Sequence, residues 1–233
     1  MIPRDQAQHY AERVVYLPDC FQANDDRCVV GPRPTRAAAG LPDEGLVLCC
    51  FNSSFKFNPP VFEIWMRVLR AAPQSTLWLL ADRQETRENL LREAAAKGID
   101  PSRLVFAEKL PYADHLGRLA LADLFLDTTP YNAGTTASDA LRTGVPVLTC
   151  AGKSFAARMA GSLLRTVGLP DLITHDLADY ERKALELVRL PQQLVSSRAT
   201  LARNLVGSPL FDTARFCRHL ETAYLRMRER VLQ

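Results

Sequence analysis

The sequence lacks most of the signatures that identify a nucleotide enzyme at once. No strand-like run is followed by G-x-G-x-x-G and no Walker lysine motif occurs, which argues against a dinucleotide oxidoreductase and a P-loop ATPase. No Asp-x-Asp stands in a loop where it would hold a divalent metal beside a diphosphate, and the Asp25-Asp26 pair sits in a polar stretch and reads as solvated. The six cysteines, at 20, 28, 49, 50, 150 and 217, show no short paired spacing suited to zinc or a redox dithiol. Those at 49, 50 and 150 fall in apolar runs, where free cysteine acts as a small hydrophobe, so a reducing cytoplasm is the expected location. No apolar run approaches the roughly 20 residues of a membrane span, and the opening MIPRDQAQHY has no apolar signal core. The net charge of +3, with no basic run before the C-terminal segment, argues against nucleic acid. Internal repeats and low-complexity tracts are also missing.

What remains is the composition of a globular protein, 47% hydrophobic and 24% charged over 233 residues. At roughly 150 residues per domain, this is one large domain or one and a half. Residues 1–18 are polar apart from RVVYL at 13–17, which reads as a strand with no sheet of its own. They are expected to be the tail of an upstream Rossmann-like half that is missing. Residues 19–44, rich in Asp, Asn, Pro and Gly around GPRPTR, read as an exposed linker. From residue 45 to 211 apolar strands alternate with helices: LVLCCF (46–51), TLWLLA (76–81), RLVFA (103–107), LFL (124–126), VPVLT (145–149) and a short run at 171–174. A helix opens at Pro59 and Pro60 with apolar positions at 61, 64, 65, 68 and 69, others fall near 84–97, 112–122, 135–143, 155–167, 179–188 and 191–205, and a last helix covers 212–233. Unbroken apolar strands alternating with helices predict a doubly wound parallel sheet, whose ligands bind beyond the carboxyl ends of the strands.

The stretch LFLDTTPYNAGTTASDALRTGVPVLT (124–149) stands out. It is a strand, a loop of small residues, a helix entered at Thr135 or Thr136, and a stop at Gly144 and Pro146. Small and hydroxyl residues at a helix entry leave amides free for an anion such as a diphosphate, although Thr135 as an ordinary N-cap explains the same residues. Other residues also have two readings. Lys56 is a solvated loop lysine or a cation for a departing diphosphate. Asp139 is a first-turn acid favoured by the helix dipole or an acceptor for ligand hydroxyls. His115 and Arg118 share a helix face, as structural residues or as ligand contacts.

These loops resemble those of the O-GlcNAc transferase family, which uses nucleotide sugars to modify protein serines and threonines. The resemblance rests on FNSSFKFNP (51–59), STLWLL (75–80), RLVF with LPYADHLGRLALADLFLDTTPYN (103–132), GTTASDAL (134–141), GVPVLT (144–149) and SPLFD (208–212). It implies the C-terminal, nucleotide-binding Rossmann-like half of a GT-B glycosyltransferase with extra C-terminal helices. The upstream tetratricopeptide repeats usual in the family are absent from this sequence. By the same resemblance, Lys56 meets the charge on the departing diphosphate and Thr135 and Thr136 bind that diphosphate. Asp139 accepts from the ribose, His115 and Arg118 contact the uracil, and Leu110 contacts the base through its backbone. Tyr131 and Asn132 lie near the sugar and its N-acetyl group.

The resemblance therefore implies an inverting transferase that moves GlcNAc from UDP-GlcNAc to protein Ser/Thr hydroxyls, without cofactor or metal. The partners would be a UDP-sugar, a protein acceptor and the missing N-terminal half. The sequence departs from the family in three places: Gly134 stands where a histidine is expected, Tyr112 where animal enzymes have a nucleotide-contacting lysine, and Arg142-Thr143 where Trp-Ala is expected. These departures keep two alternatives open: a truncated binding module that catalyses nothing, and a related transferase for another sugar, glucose to Asn or fucose.

Overall fold

The computed structural model describes residues 1–231, and the end of the expected C-terminal segment, residues 232–233, lies outside them. Six parallel strands form one open sheet: β1 (Val47–Cys50), β2 (Thr76–Leu80), β3 (Leu104–Ala107), β4 (Leu124–Leu126), β5 (Val147–Cys150) and β6 (Ile173–Thr174). Their order across the sheet is β3-β2-β1-β4-β5-β6. Leu48 and Cys49 pair with Leu77 and Trp78 on one side and with Leu124 and Phe125 on the other. The chain thus winds outward from β1 to β3, crosses back over β1, and winds the other way from β4. The loops after β1 and β4 open from neighbouring strands at the point of reversal, where such sheets bind ligands. The strands are unbroken apolar runs because helices cover both faces: Leu48, Cys49, Cys50, Leu77, Leu79 and Phe125 are all fully buried.

Helix α1 (Pro59–Ala71) begins as its sequence dictates: the Asn58 side chain accepts from Val61 N–H at 3.1 Å, with prolines at the first two helical positions. Its apolar face buries Val61, Ile64, Trp65, Val68 and Leu69 against the sheet and α6 (Leu177–Arg189). Helix α2 (Gln84–Ala96) buries only Ala94 and stops at Gly98, whose φ of +72° suits glycine. The other helices are α3 (Tyr112–Leu119), α4 (Thr135–Arg142), α5 (Met159–Thr166), α7 (Pro191–Leu205) and α8 (Thr213–Val231).

One expectation for the N-terminal part is corrected. Residues 13–17 form no strand: no partner for them exists among the described residues, and they run without regular structure. Residues 19–44 are mostly exposed, as expected of a linker, but they do not hang free of the domain. They are a strap tied along the domain, with Cys20 and Leu41 buried in its core. Gln22 Nε2 donates to Ser138 Oγ (2.6 Å), Asn24 Nδ2 to Leu210 O (2.9 Å) and Gly31 N–H to Ala113 O (2.9 Å). A Cβ on Gly117 would come within 2.4 Å of Pro32 O, so glycine at 117 is what lets the strap cross α3 this closely. The polar, Pro-rich composition that reads as linker reflects a segment held by hydrogen bonds from its own backbone and side chains rather than by a ladder.

Candidate functional site

The site is assembled at the carboxyl ends of β1 and β4. Asp127 follows β4 directly and is 1% exposed. Its Oδ1 accepts from Ala133 N–H (2.7 Å), Thr128 N–H (2.8 Å) and Asn52 Nδ2 (3.1 Å), and its Oδ2 accepts from Thr149 Oγ1 (2.7 Å). Burial raises its pKa to about 6, against the pull of these donors. Asn52, the residue two beyond β1, also donates to Thr128 Oγ1 (2.7 Å) and accepts from Thr136 Oγ1 (2.5 Å). One buried carboxylate thus ties together the loops after β1 and β4 and the start of α4. From beneath, Tyr180 OH donates to Asp127 O (3.0 Å) and receives Trp65 Nε1 (3.2 Å).

Helix α4 has no side-chain cap. Its N-cap is Gly134, Thr135 is the first helical residue, and Thr136 directs its hydroxyl to Asn52. An ordinary threonine N-cap is therefore not what this helix start contains. Ser138 N–H bonds back to Gly134 O (3.0 Å), so the amides of 135 to 137 precede the first intrahelical bond. They form a positive helix end suited to an anion.

Lys56 ends a short 3-10 turn, Ser54–Lys56, after β1. Its ammonium donates to Asn132 O (3.2 Å) and lies 4.2 Å from the centre of the Tyr131 ring, which bridges the two loops. Burial lowers its pKa, with Asp127 opposing that shift. Tyr131 is half exposed and stands edge-on to the exposed Phe55 ring at 6.4 Å. The Asn132 side chain is fully buried, and its Nδ2 donates to Thr128 O (2.8 Å) and Cys150 O (3.2 Å). Asn132 thus faces the loop interior and offers Lys56 its backbone.

On α3, Arg118 is 6% exposed, with its guanidinium 5.4 Å from the Phe51 ring centre and 6.0 Å from that of Trp78. Its Nη2 is 3.2 Å from His115 Nδ1. Arginine has no acceptor, so Nδ1 accepts and the imidazole proton resides on Nε2. Burial, then Arg118, lowers the His115 pKa to about 4, so the ring is neutral at neutral pH. Asp139 is 5% exposed and accepts from Tyr112 OH at 2.6 Å. Burial raises its pKa and the Tyr112 bond lowers it. Leu110 and Thr135 are exposed, and neither side chain makes a hydrogen bond among the described residues.

The expected residues thus fall into four contacting sets: Lys56 with Tyr131 and Asn132, Thr136 with Asn52, His115 with Arg118 against Phe51, and Asp139 with Tyr112. Asn52, Asp127, Thr128 and Thr149, which fix the loop of Tyr131 and Asn132 and the Thr136 hydroxyl, were not among the candidates. For Asn52, Asp127 and Thr128 a signal is nonetheless in the sequence: polar residues directly after the apolar runs of β1 and β4, where a doubly wound sheet brings its loops to the ligand.

The sequence profile of glycosyl transferase family 41 matches residues 28–220. The UDP-N-acetylglucosamine–peptide N-acetylglucosaminyltransferase of Caenorhabditis elegans is 35% identical over 187 residues, 80% of this chain and 16% of the worm protein. SEC of Arabidopsis thaliana, a probable enzyme of the same name, is 34% identical over 232 residues, 97% of this chain and 24% of the plant protein. Among solved structures, a mutant of the Thermobaculum terrenum O-GlcNAc transferase aligns with a TM-score of 0.85 at 33% identity, over 97% of this chain and 43% of that one. The chain therefore spans a quarter or less of these two curated relatives and under half of the solved one.

Proposed function

The chain belongs to glycosyl transferase family 41 and has the Rossmann-like fold of a GT-B half, and from that premise we propose that it is the donor-binding half of an inverting, metal-independent transferase. The donor is UDP-GlcNAc and the acceptor a protein Ser or Thr hydroxyl. The observation that carries this reading is the convergence of Lys56 and the uncapped start of α4 on the loops after β1 and β4. A diphosphate lying there meets the Lys56 ammonium, the amides of residues 135 to 137 and the Thr135 hydroxyl, and the Thr136 hydroxyl once it turns from Asn52. As the acceptor hydroxyl attacks the anomeric carbon from the opposite side, the bond to the diphosphate oxygen breaks and negative charge grows on the leaving UDP. A fixed cation and fixed N–H dipoles stabilise that charge more than they stabilise the bound donor. They also supply the neutralisation that a metal provides in other transferases. The neutral His115, with its proton on Nε2, is a donor for a uracil carbonyl, and Arg118 orients it. In a GT-B enzyme the group that takes the acceptor proton would come from the other Rossmann-like half.

The test is calorimetric titration of UDP into the chain in EDTA, beside Lys56→Ala and Asp139→Ala. Metal-free binding that weakens about tenfold or more in Lys56→Ala supports the reading, since one charge-assisted contact to phosphate is lost. Binding only on addition of Mn or Mg removes the metal-independent part, and no binding by a folded wild-type chain removes the donor site.

A second reading, a nucleotide-sugar-binding module without catalysis, rests on Gly134. A Cβ there would lie 2.3 Å from Met159 Cε, so the methionine occupies the space a side chain at this position would enter. Joining the chain to the first half of a relative and finding donor binding without transfer favours this reading.

A further inference from the structure

We propose that Tyr112 is a specificity-determining residue of the donor site, which holds the Asp139 carboxylate so that one oxygen is left for a hydroxyl of the ligand's ribose. The inference rests on the donor-site reading above and deepens it.

Tyr112 opens α3, and Asp139 lies in α4, the helix packed beside it. The tyrosine ring is half exposed, yet its hydroxyl turns inward and donates to Asp139 Oδ1 at 2.6 Å. The strap adds a neighbour, since the Cys28 thiol is close enough to influence the same hydroxyl. Asp139 itself is 5% exposed, and Tyr112 OH is the single donor its carboxylate receives among the described residues. A carboxylate has about four acceptor positions, and buried acceptors are normally satisfied. Asp127 shows the ordinary solution a few residues away, with four donors on its two oxygens. Asp139 has one donor, on Oδ1, while its Oδ2 receives none and is not among the buried unpartnered atoms, so it is open to an incoming hydroxyl. A carboxylate in that state gains most from a ligand that brings a hydroxyl donor. It lies about one turn into α4, the helix whose first amides are free for the diphosphate in the donor-site reading. A cation in place of Tyr112 would pair with the carboxylate directly, whereas the phenol leaves its charge in place, and Arg142 acts on it through space without a hydrogen bond.

The experiment compares UDP with 2'-deoxy-UDP and 3'-deoxy-UDP on the 233-residue chain and on Tyr112→Phe, with unfolding midpoints as a folding control. The wild type is expected to prefer UDP over at least one deoxy analogue by about tenfold, and Tyr112→Phe to lose most of that preference while binding the analogue unchanged. The bond to Tyr112 also favours the ionised carboxylate, so in Tyr112→Phe the fall in UDP affinity on acidification begins at a higher pH than in the wild type. Equal weakening toward all three ligands, or an unchanged preference for UDP, overturns the assignment while leaving the donor site intact. Absence of UDP binding by the folded wild type overturns the donor site and this assignment with it.

Discussion

Two regions of this chain bury their side chains by different rules. At the carboxyl ends of β1 and β4, polar groups are buried and nearly every one is answered: Asp127, Asn52, Thr128 and Thr149 are at most 1% exposed and hydrogen-bonded to one another. Between residues 14–18 and α8 the situation is reversed. Val15, Tyr16, Tyr224, Leu225 and Met227 are each 40% exposed or more, and the main polar tie is a partly exposed one, from Arg215 to Asp19. Buried polar groups without partners are costly, so a buried cluster in which only the Asn132 side-chain oxygen lacks a partner fixes its loops before any ligand arrives. The terminal region has no such constraint, and its geometry is set by shallow apolar contact. Preorganisation in this molecule is therefore local to the reversal point of the sheet.

The largest expected effect breaks the first region. Asp127→Ala leaves the N–H groups of Thr128 and Ala133 and the Thr149 hydroxyl buried without their acceptor. Urea unfolding should show a loss of about 3–4 kcal/mol, since each stranded buried donor costs about 1–3 kcal/mol and the effects overlap. A loss below about 1 kcal/mol would mean that the loops rearrange freely, and the contrast between the regions would fall.

The pH dependence sharpens the contrast, because two buried groups at the site act in opposite senses. Asp127 titrates near 6 in the fold against an ordinary 3.8, so the folded state holds its proton more tightly. Its contribution is greatest below pH 3.8 and is lost as the pH rises through 6. His115 titrates near 4 against an ordinary 6.5, so the unfolded state holds that proton more tightly. Its contribution is full above 6.5 and is lost as the pH falls toward 4. In the wild type the two slopes oppose each other across roughly the same window. His115→Gln should therefore leave a stability that falls as the pH rises from 4 to 6, and Asp127→Asn one that rises, both read from urea midpoints at stepped pH. Parallel profiles for the two variants would show that neither group is linked to folding.

Much of this was legible in the sequence, and the reasons differ by element. The strands at 47–50, 76–80 and 104–107 declare themselves because a strand covered on both faces has no polar positions, and α1 because Asn58 and two prolines fix its start. Residues 13–17 mislead because β-branched and aromatic residues suit any half-buried extended chain, and a strand also needs a neighbour with free backbone groups. The strap is legible only in part, because Pro, Asn and Asp describe a backbone outside ladders and say nothing of what it lies on. At the site, the candidate residues were accessible through resemblance. Asn52 and Asp127 were not, because their roles depend on contacts with residues 75 or 76 positions away in sequence. Tyr112 was visible only as a departure, and its contact with Asp139 requires α3 and α4 to be side by side.

The smallest expected effect tests the second region. Asp19 receives Arg215 through Nε (2.7 Å) and Nη2 (2.8 Å), with His219 Nδ1 at 3.3 Å, and joins the start of the strap to α8. The geometry is bidentate, which is the strong form of this pair. The Asp19 and Arg215 side chains are nonetheless 20% and 40% exposed, so water screens the pair and both side chains give up rotamer freedom to form it. Asp19→Ala should therefore lower stability by about 1 kcal/mol or less, and the difference should shrink further in 1 M salt. UDP affinity should be unchanged, because the carboxylate touches neither of the two loops that hold Lys56 and Asp127. A loss comparable to that of Asp127→Ala, or weakened UDP binding, would show that the terminal segments act on the site through the strap that Gln22 ties to Ser138, and the two regions would then form one cooperative unit.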